Sequence, residues 1–149
     1  MFGGREHTSQ KGLSATTAVL KRLVEKGYEC LVPWGDHRRY DLAFVTTRQG
    51  FFKKETEIWR VQCKLARLSS DGGYIVFNTA SVIPGERGRR AVKKGYEGDA
   101  EYFGVYSPDT GKVYLIFVHQ APNGEMRLRL KKSRNNQEQN VHWAKHYEL

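Results

Sequence analysis

Four residues carry the types that phosphoryl chemistry needs: a carboxylate, Asp41, and the run Gln62-Cys63-Lys64. A hard cation takes oxygen ligands, which a carboxylate, a side-chain amide and a backbone carbonyl all supply. A cation held there lowers the pKa of a bound water and offsets charge gathering on a phosphate. A neighbouring ammonium adds positive charge where it develops in the transition state. The spacing Asp…Gln-x-Lys is permissive and arises often by chance, so its weight depends on the elements that hold it.

Those elements can be read from periodicity. Thr8 or Ser9 can cap a helix running to about Lys26, with Leu13, Thr17, Leu20 and Val24 at three- and four-residue steps as its apolar face. Gly27 stops it. Tyr28 to Val32 reads as a short strand ending at Pro33, and the turn-rich segment from Trp34 to Tyr40 leads to a second strand opening at Asp41. Thr46 to Thr56 reads as a polar connection and Glu57 to Leu65 as the third strand, which makes the two a hairpin. Alternation along that third strand puts Trp59, Val61, Cys63 and Leu65 on one face. Ile58, Arg60, Gln62 and Lys64 share the other. Tyr74 to Asn78 is β again. Glu101 to Ser107 and Lys112 to Gln120 form a further hairpin around Pro108-Asp109-Thr110-Gly111. No repeat or domain boundary is visible, so residues 1–149 are expected to form a single α/β domain with β additions.

The chain has 149 residues with 25 Lys+Arg against 16 Asp+Glu, a formal net charge of +9. That surplus favours a polyanionic partner through attraction and counterion release. Two cysteines make neither a disulfide framework nor a zinc site. No secretory leader is evident, and the longest apolar run, Val113 to Val118, falls far short of the roughly 20 residues that span a bilayer. A soluble, cytoplasmic protein without a membrane partner is the expectation.

Pro33…Asp41…Gln62-Cys63-Lys64 behind a helix resembles the PD-(D/E)xK nucleases. Residues 35–42, 60–64 and 102–110 look closer still to the branch containing intron-encoded homing endonucleases of cyanobacteria, and the likeness covers nearly the whole chain. It implies a restriction-endonuclease-like core, that is, a central mixed sheet flanked by helices. It also implies Mg²⁺-dependent, sequence-specific cleavage of double-stranded DNA by a homo-oligomer, dimer or tetramer. Asp41 and Gln62 would hold the Mg²⁺ with the Cys63 carbonyl, and Lys64 would position the water. Two departures stand out. Gln62 replaces the usual Asp or Glu, and the acidic residue that the family tends to carry on its first helix is missing. Thr16 and Thr17 lie near that place, and Gln10, two turns earlier on roughly the face of Thr17, is expected to occupy it, as a natural residue or as a Glu→Gln replacement that traps uncut DNA, with a plain helix-surface Gln as the alternative.

Asp36 competes with Asp41 as metal ligand, although a strand fixes the direction of Asp41 better than a Gly-led loop fixes Asp36. Five cations in eight residues, Arg87, Arg89, Arg90, Lys93 and Lys94, suit a DNA-contacting segment. Arg38 and Arg39 can grip the phosphate beside the cut, with Lys53 and Lys54 as weaker candidates. Arg134, Asn135 and Asn136 have the side chains that read guanine and adenine edges, or are a polar tail. Tyr114, Ile116 and Val118 on the last hairpin are expected to build an oligomer interface. His142 and His146, at i and i+4, read as surface residues, and the three tryptophans as packing. A junction resolvase, a restriction-type nuclease and a non-catalytic nucleic-acid-binding module are the alternative functions.

Overall fold

The computed structural model describes residues 8–35, 37–85, 90–132 and 138–149. A helix, α1 (Thr8–Glu25), precedes a sheet built from β1 (Glu29–Leu31), β2 (Leu42–Gln49), β3 (Lys54–Leu65), β8 (Tyr102–Ser107) and β9 (Lys112–Phe117) in that spatial order. All neighbours are antiparallel except β3 and β8, which run parallel, so the sheet is mixed. Between β3 and β8 the chain forms β4 (Arg67–Leu68), β5 (Tyr74–Asn78), β6 (Ser81–Ile83) and β7 (Val92–Lys94). With β10 (Glu125–Arg129), β5 and β4 make a second sheet, and β6 and β7 make a separate two-stranded ribbon.

The helix covers one face of the mixed sheet. Ala15, Val19 and Leu23 pack with Leu42, Phe44, Val61, Cys63 and Val113. The approach is close: a Cβ on Gly104 would lie 2.7 Å from Val19 and 2.9 Å from Val61, so β8 needs glycine beneath the helix. This corrects the helix face read from the sequence. Leu13 is 67% exposed and Val24 56%, because the small side chains at 15 and 19 permit the close packing and turn the bulkier stripe outward. The side chains of Thr8 and Ser9, expected as caps, lie outside those described.

On the opposite face, the second sheet covers only the β8–β9 half. Ile75, Phe77, Met126 and Leu128 pack there against Phe103, Val105, Tyr114 and Ile116. A single α-helix among the described residues therefore flanks the sheet, and a small sheet takes the place of a second helical layer. Tyr114, Ile116 and Val118 are buried in this core and are not available as an interface face. The outer edge of β9 is also covered, since Leu115 N–H donates to the Tyr147 carbonyl and Leu149 N–H to the Val113 carbonyl. No helix among the described residues is long and apolar enough to cross a membrane.

The expected polar connection from Thr46 to Thr56 is mostly strand. The β2–β3 ladder continues to Gln49↔Lys54. Cross-strand pairs sustain it: Arg48 bonds Glu55 at 3.1 Å, and the Trp59 indole N–H donates to Thr46 Oγ1 at 2.8 Å.

Candidate metal and phosphate site

The β2–β3 register pairs Leu42 with Val61. One step further, Asp41 stands opposite Gln62, on the face that Lys64 shares by alternation. The Asp41 N–H donates to the Val61 carbonyl at 2.9 Å, which fixes the residue at the mouth of the strand. Asp41 Oδ2 accepts from Gln62 Nε2 at 2.6 Å and from the Cys63 N–H at 2.7 Å. Gln62 Nε2 also lies 3.4 Å from the Cys63 carbonyl oxygen. The amide nitrogen, with its partial positive charge, thus sits between two oxygens that a cation can bridge. Burial pushes the Asp41 carboxyl above its usual range, against the opposing pull of the Cys63 N–H, the Lys64 charge and the Gln62 amide.

The donors that fit a hard cation are all oxygens: the Asp41 carboxylate, the Gln62 amide oxygen and the Cys63 carbonyl. The Cys63 thiol is not among them. It is buried against α1, and burial first, then the nearby Asp41 charge, push its pKa far up, so it stays protonated. No group of three or more His, Cys, Asp or Glu that can hold a metal occurs among the described residues. Among the described residues, the donor set here contains one carboxylate, Asp41.

Lys64 reaches beyond the second strand. Its Nζ donates to the Tyr96 hydroxyl at 2.9 Å and lies 4.4 Å from the centre of that ring. Arg39 stacks on the same ring at 4.6 Å, bonds Asp99 at 2.6 Å and Ser81 Oγ at 2.9 Å, and reaches the Lys94 carbonyl at 3.3 Å. Arg39 thereby ties the base of the β6–β7 ribbon to the site. Its guanidinium is held by the chain's own groups, where the sequence reading placed it on a phosphate. A second ion pair closes this flank: Arg60 bonds Glu101, whose carboxyl is held below its usual range chiefly by that hydrogen bond.

Arg38, Arg90, Lys93 and Lys94 are exposed, the last two on β7 of the ribbon. Arg87, Arg89, Arg134, Asn135 and Asn136, and the competing ligand Asp36, lie outside the described residues. Gln10 is exposed in the first turn of α1. The helix packs on the sheet face opposite Gln62 and Lys64, and Gln10 makes no hydrogen bond with them among the described residues. His142 Nδ1 lies 3.0 Å from the Tyr147 hydroxyl, and residues 144–146 form a 3₁₀ turn, so no α-helical face brings His142 and His146 together. Trp34, read as a packing residue, is fully exposed in the turn after Pro33.

Sequence reasoning missed Tyr96, Asp99 and Ser81. Tyr96 follows the basic run and a glycine, a context that reads as loop. Its role arises from the parallel crossover, which brings residues 94–99 over the end of β3.

No curated protein matches the sequence significantly. Among solved structures, the chain resembles the bacterial homing endonuclease I-Ssp6803I with a TM-score of 0.71 and 22% identity, over 95% of this chain and 88% of that one. That likeness establishes the fold. A family model described as PD-(D/E)XK endonuclease matches residues 6–149. That model spans nearly the whole chain, and the chain is a member of the PD-(D/E)XK endonuclease family.

Proposed function

We propose that this protein is a Mg²⁺-dependent endonuclease that cleaves both strands of a specific double-stranded DNA site, as a homing endonuclease does, with one active site per chain and at least two chains per duplex. The observation carrying this reading is the convergence of Asp41, Gln62 and the Cys63 backbone, with Lys64 on the same face.

Asp41, Gln62 and the Cys63 carbonyl would hold the cation, which supplies positive charge at the scissile phosphate and acidifies a water. Lys64 brings a second positive charge to the same place and orients the attacking water. Arg38, Arg90, Lys93 and Lys94 face solvent and suit phosphate contacts along the duplex. Arg87, Arg89, Arg134, Asn135 and Asn136 remain proposed DNA contacts from the sequence, and Gln10 a proposed stand-in for the helix acid. Cutting two antiparallel strands with one site per chain calls for copies related by a two-fold axis.

The test is conversion of supercoiled plasmid carrying candidate target DNA. With Mg²⁺ the chain is expected to give linear product, and with EDTA none. Binding without nicking, in a Gln10→Glu variant as well, would make it a non-catalytic binding module. One carboxylate gives the cation weak hold, so Gln62→Glu is expected to lower the Mg²⁺ concentration for half-maximal cleavage about tenfold. An unchanged Mg²⁺ titration would remove Gln62 from the ligand set.

Tyr96 acts on the reaction through Lys64, as a positioning residue. Tyr96→Phe keeps the ring under Arg39 but deletes the oxygen that Lys64 donates to. A tenfold fall in single-turnover rate is expected, with DNA affinity unchanged, since a lost hydrogen bond to a charged group costs about 1.5–3 kcal/mol. Equal losses of rate and affinity would mark Tyr96 as packing alone.

A further inference from the structure

The tip of the β2–β3 hairpin carries a feature that the cleavage site does not explain. Its turn is Gly50-Phe51-Phe52-Lys53, closed by a hydrogen bond from the Gly50 N–H to the Lys53 carbonyl at 2.9 Å. Gly50 is required there, because a Cβ would stand 2.6 Å from the Lys53 oxygen. The two central turn positions ordinarily go to Gly, Asn, Asp or another small polar residue. Here both are phenylalanines, 94% and 93% exposed, whose rings meet edge to face with centroids 4.9 Å apart. Neither has a positive φ, so no strain of the left-handed region is involved. Two large apolar rings thus stand on the outermost point of a rigid, fully registered ladder.

The flanking charges indicate the partner. Lys53 and Lys54 make no ion pair among the described residues, while the nearby carboxylates Glu55 and Glu57 are both taken by Arg48. A two-fold contact between tips would oppose these lysines to their copies on a chain of net charge +9. A polyanion suits them. The reach also fits a duplex: at about 3.3 Å per residue, β3 from Lys54 to Lys64 spans roughly 30 Å, and one helical turn of B-DNA spans about 34 Å.

We infer that Phe51 and Phe52 form an apolar wedge that enters a base step of the duplex about one helical turn from the cleavage site, with Lys53 and Lys54 on the adjoining phosphates. Apolar wedges of this kind unstack a base step, unwinding and kinking the DNA. The inference rests on the DNA-substrate reading above and is independent of the metal chemistry.

The experiment relaxes closed-circular plasmid with a metal-independent topoisomerase in the presence of the full chain and EDTA, so that no nicking occurs, and reads the linking number. The wild-type chain is expected to leave the plasmid underwound. Phe51→Ala/Phe52→Ala is expected to abolish that shift and weaken binding to a 40-bp mixed-sequence duplex about tenfold. Its melting temperature and sedimentation should match wild type, since both rings are solvent-exposed. Lys64→Ala, expected not to nick, should still shift the linking number, which separates failure of the wedge from failure of the nuclease mechanism. A wild-type chain that leaves linking number unchanged, or a double variant that shifts it fully, overturns the inference. So does a double variant of lower assembly mass, which would assign the tip to a second copy.

Discussion

Asp41→Asn is expected to abolish Mg²⁺-dependent cleavage, by about a thousandfold or more, while leaving the metal-free fold more stable at neutral pH. The first half follows from the donor set, in which Asp41 supplies the only formal negative charge of the three proposed ligands. The second follows from linkage. Burial raises the Asp41 carboxyl above its ordinary value of 3.8, so the folded chain holds that proton more tightly than the unfolded one. This contribution to stability is fully present below the ordinary value and is lost as pH rises through the raised one. Above that window the metal-free wild type carries a buried, partly compensated charge, which Asn does not. Thermal melts over a pH series should therefore show the variant gaining on wild type as pH rises, in EDTA. Added Mg²⁺ should raise the melting temperature of wild type and leave the variant unmoved. Equal stabilisation of both by Mg²⁺ would place the cation elsewhere.

Lys64→Ala should cost a hundredfold to a thousandfold in cleavage rate, the usual loss when one preorganised group is removed from developing charge. DNA affinity should hardly change, because Lys64 is half-buried and bonded to Tyr96, unlike the exposed cations of the β6–β7 ribbon. Lys64→Arg is not expected to restore the rate. A planar guanidinium cannot occupy the space between Tyr96 and the strand as a compact ammonium does. Single-turnover cleavage measured beside gel-shift affinity checks both variants. A variant that binds weakly and cuts normally once bound would make Lys64 a phosphate contact and sink its proposed role.

Much of the site was legible because strands translate sequence spacing directly into geometry. Gln62 and Lys64, two residues apart, must share a face on any strand, and Val61 and Cys63 must share the other. A carboxylate opening the neighbouring strand then has only the register left to settle, and the register put Asp41 opposite Gln62. The β8–β9 hairpin was equally plain, since the Pro108-Asp109-Thr110-Gly111 turn sits between two apolar runs. Helix orientation was not. Two stripes of α1 have nearly the same period, and the larger residues, Leu13 and Val24, suggested the wrong one. The choice was made by Gly104, far away in sequence, whose missing side chain permits the close approach of Val19.

By itself, the sequence determined the strand pair and its two faces, and so the side on which Asp41, Gln62 and Lys64 gather, because these depend on separations of a few positions. The tertiary structure alone decided what stands over that pair. A parallel crossover carries the chain from the end of β3 through the second sheet and the ribbon before β8 returns beside it. It delivers Tyr96 to Lys64 and Asp99 to Arg39 across separations of 32 and 60 residues. No local periodicity encodes such contacts. They exist because burying the β8–β9 half of the sheet fixes where the intervening loop must pass.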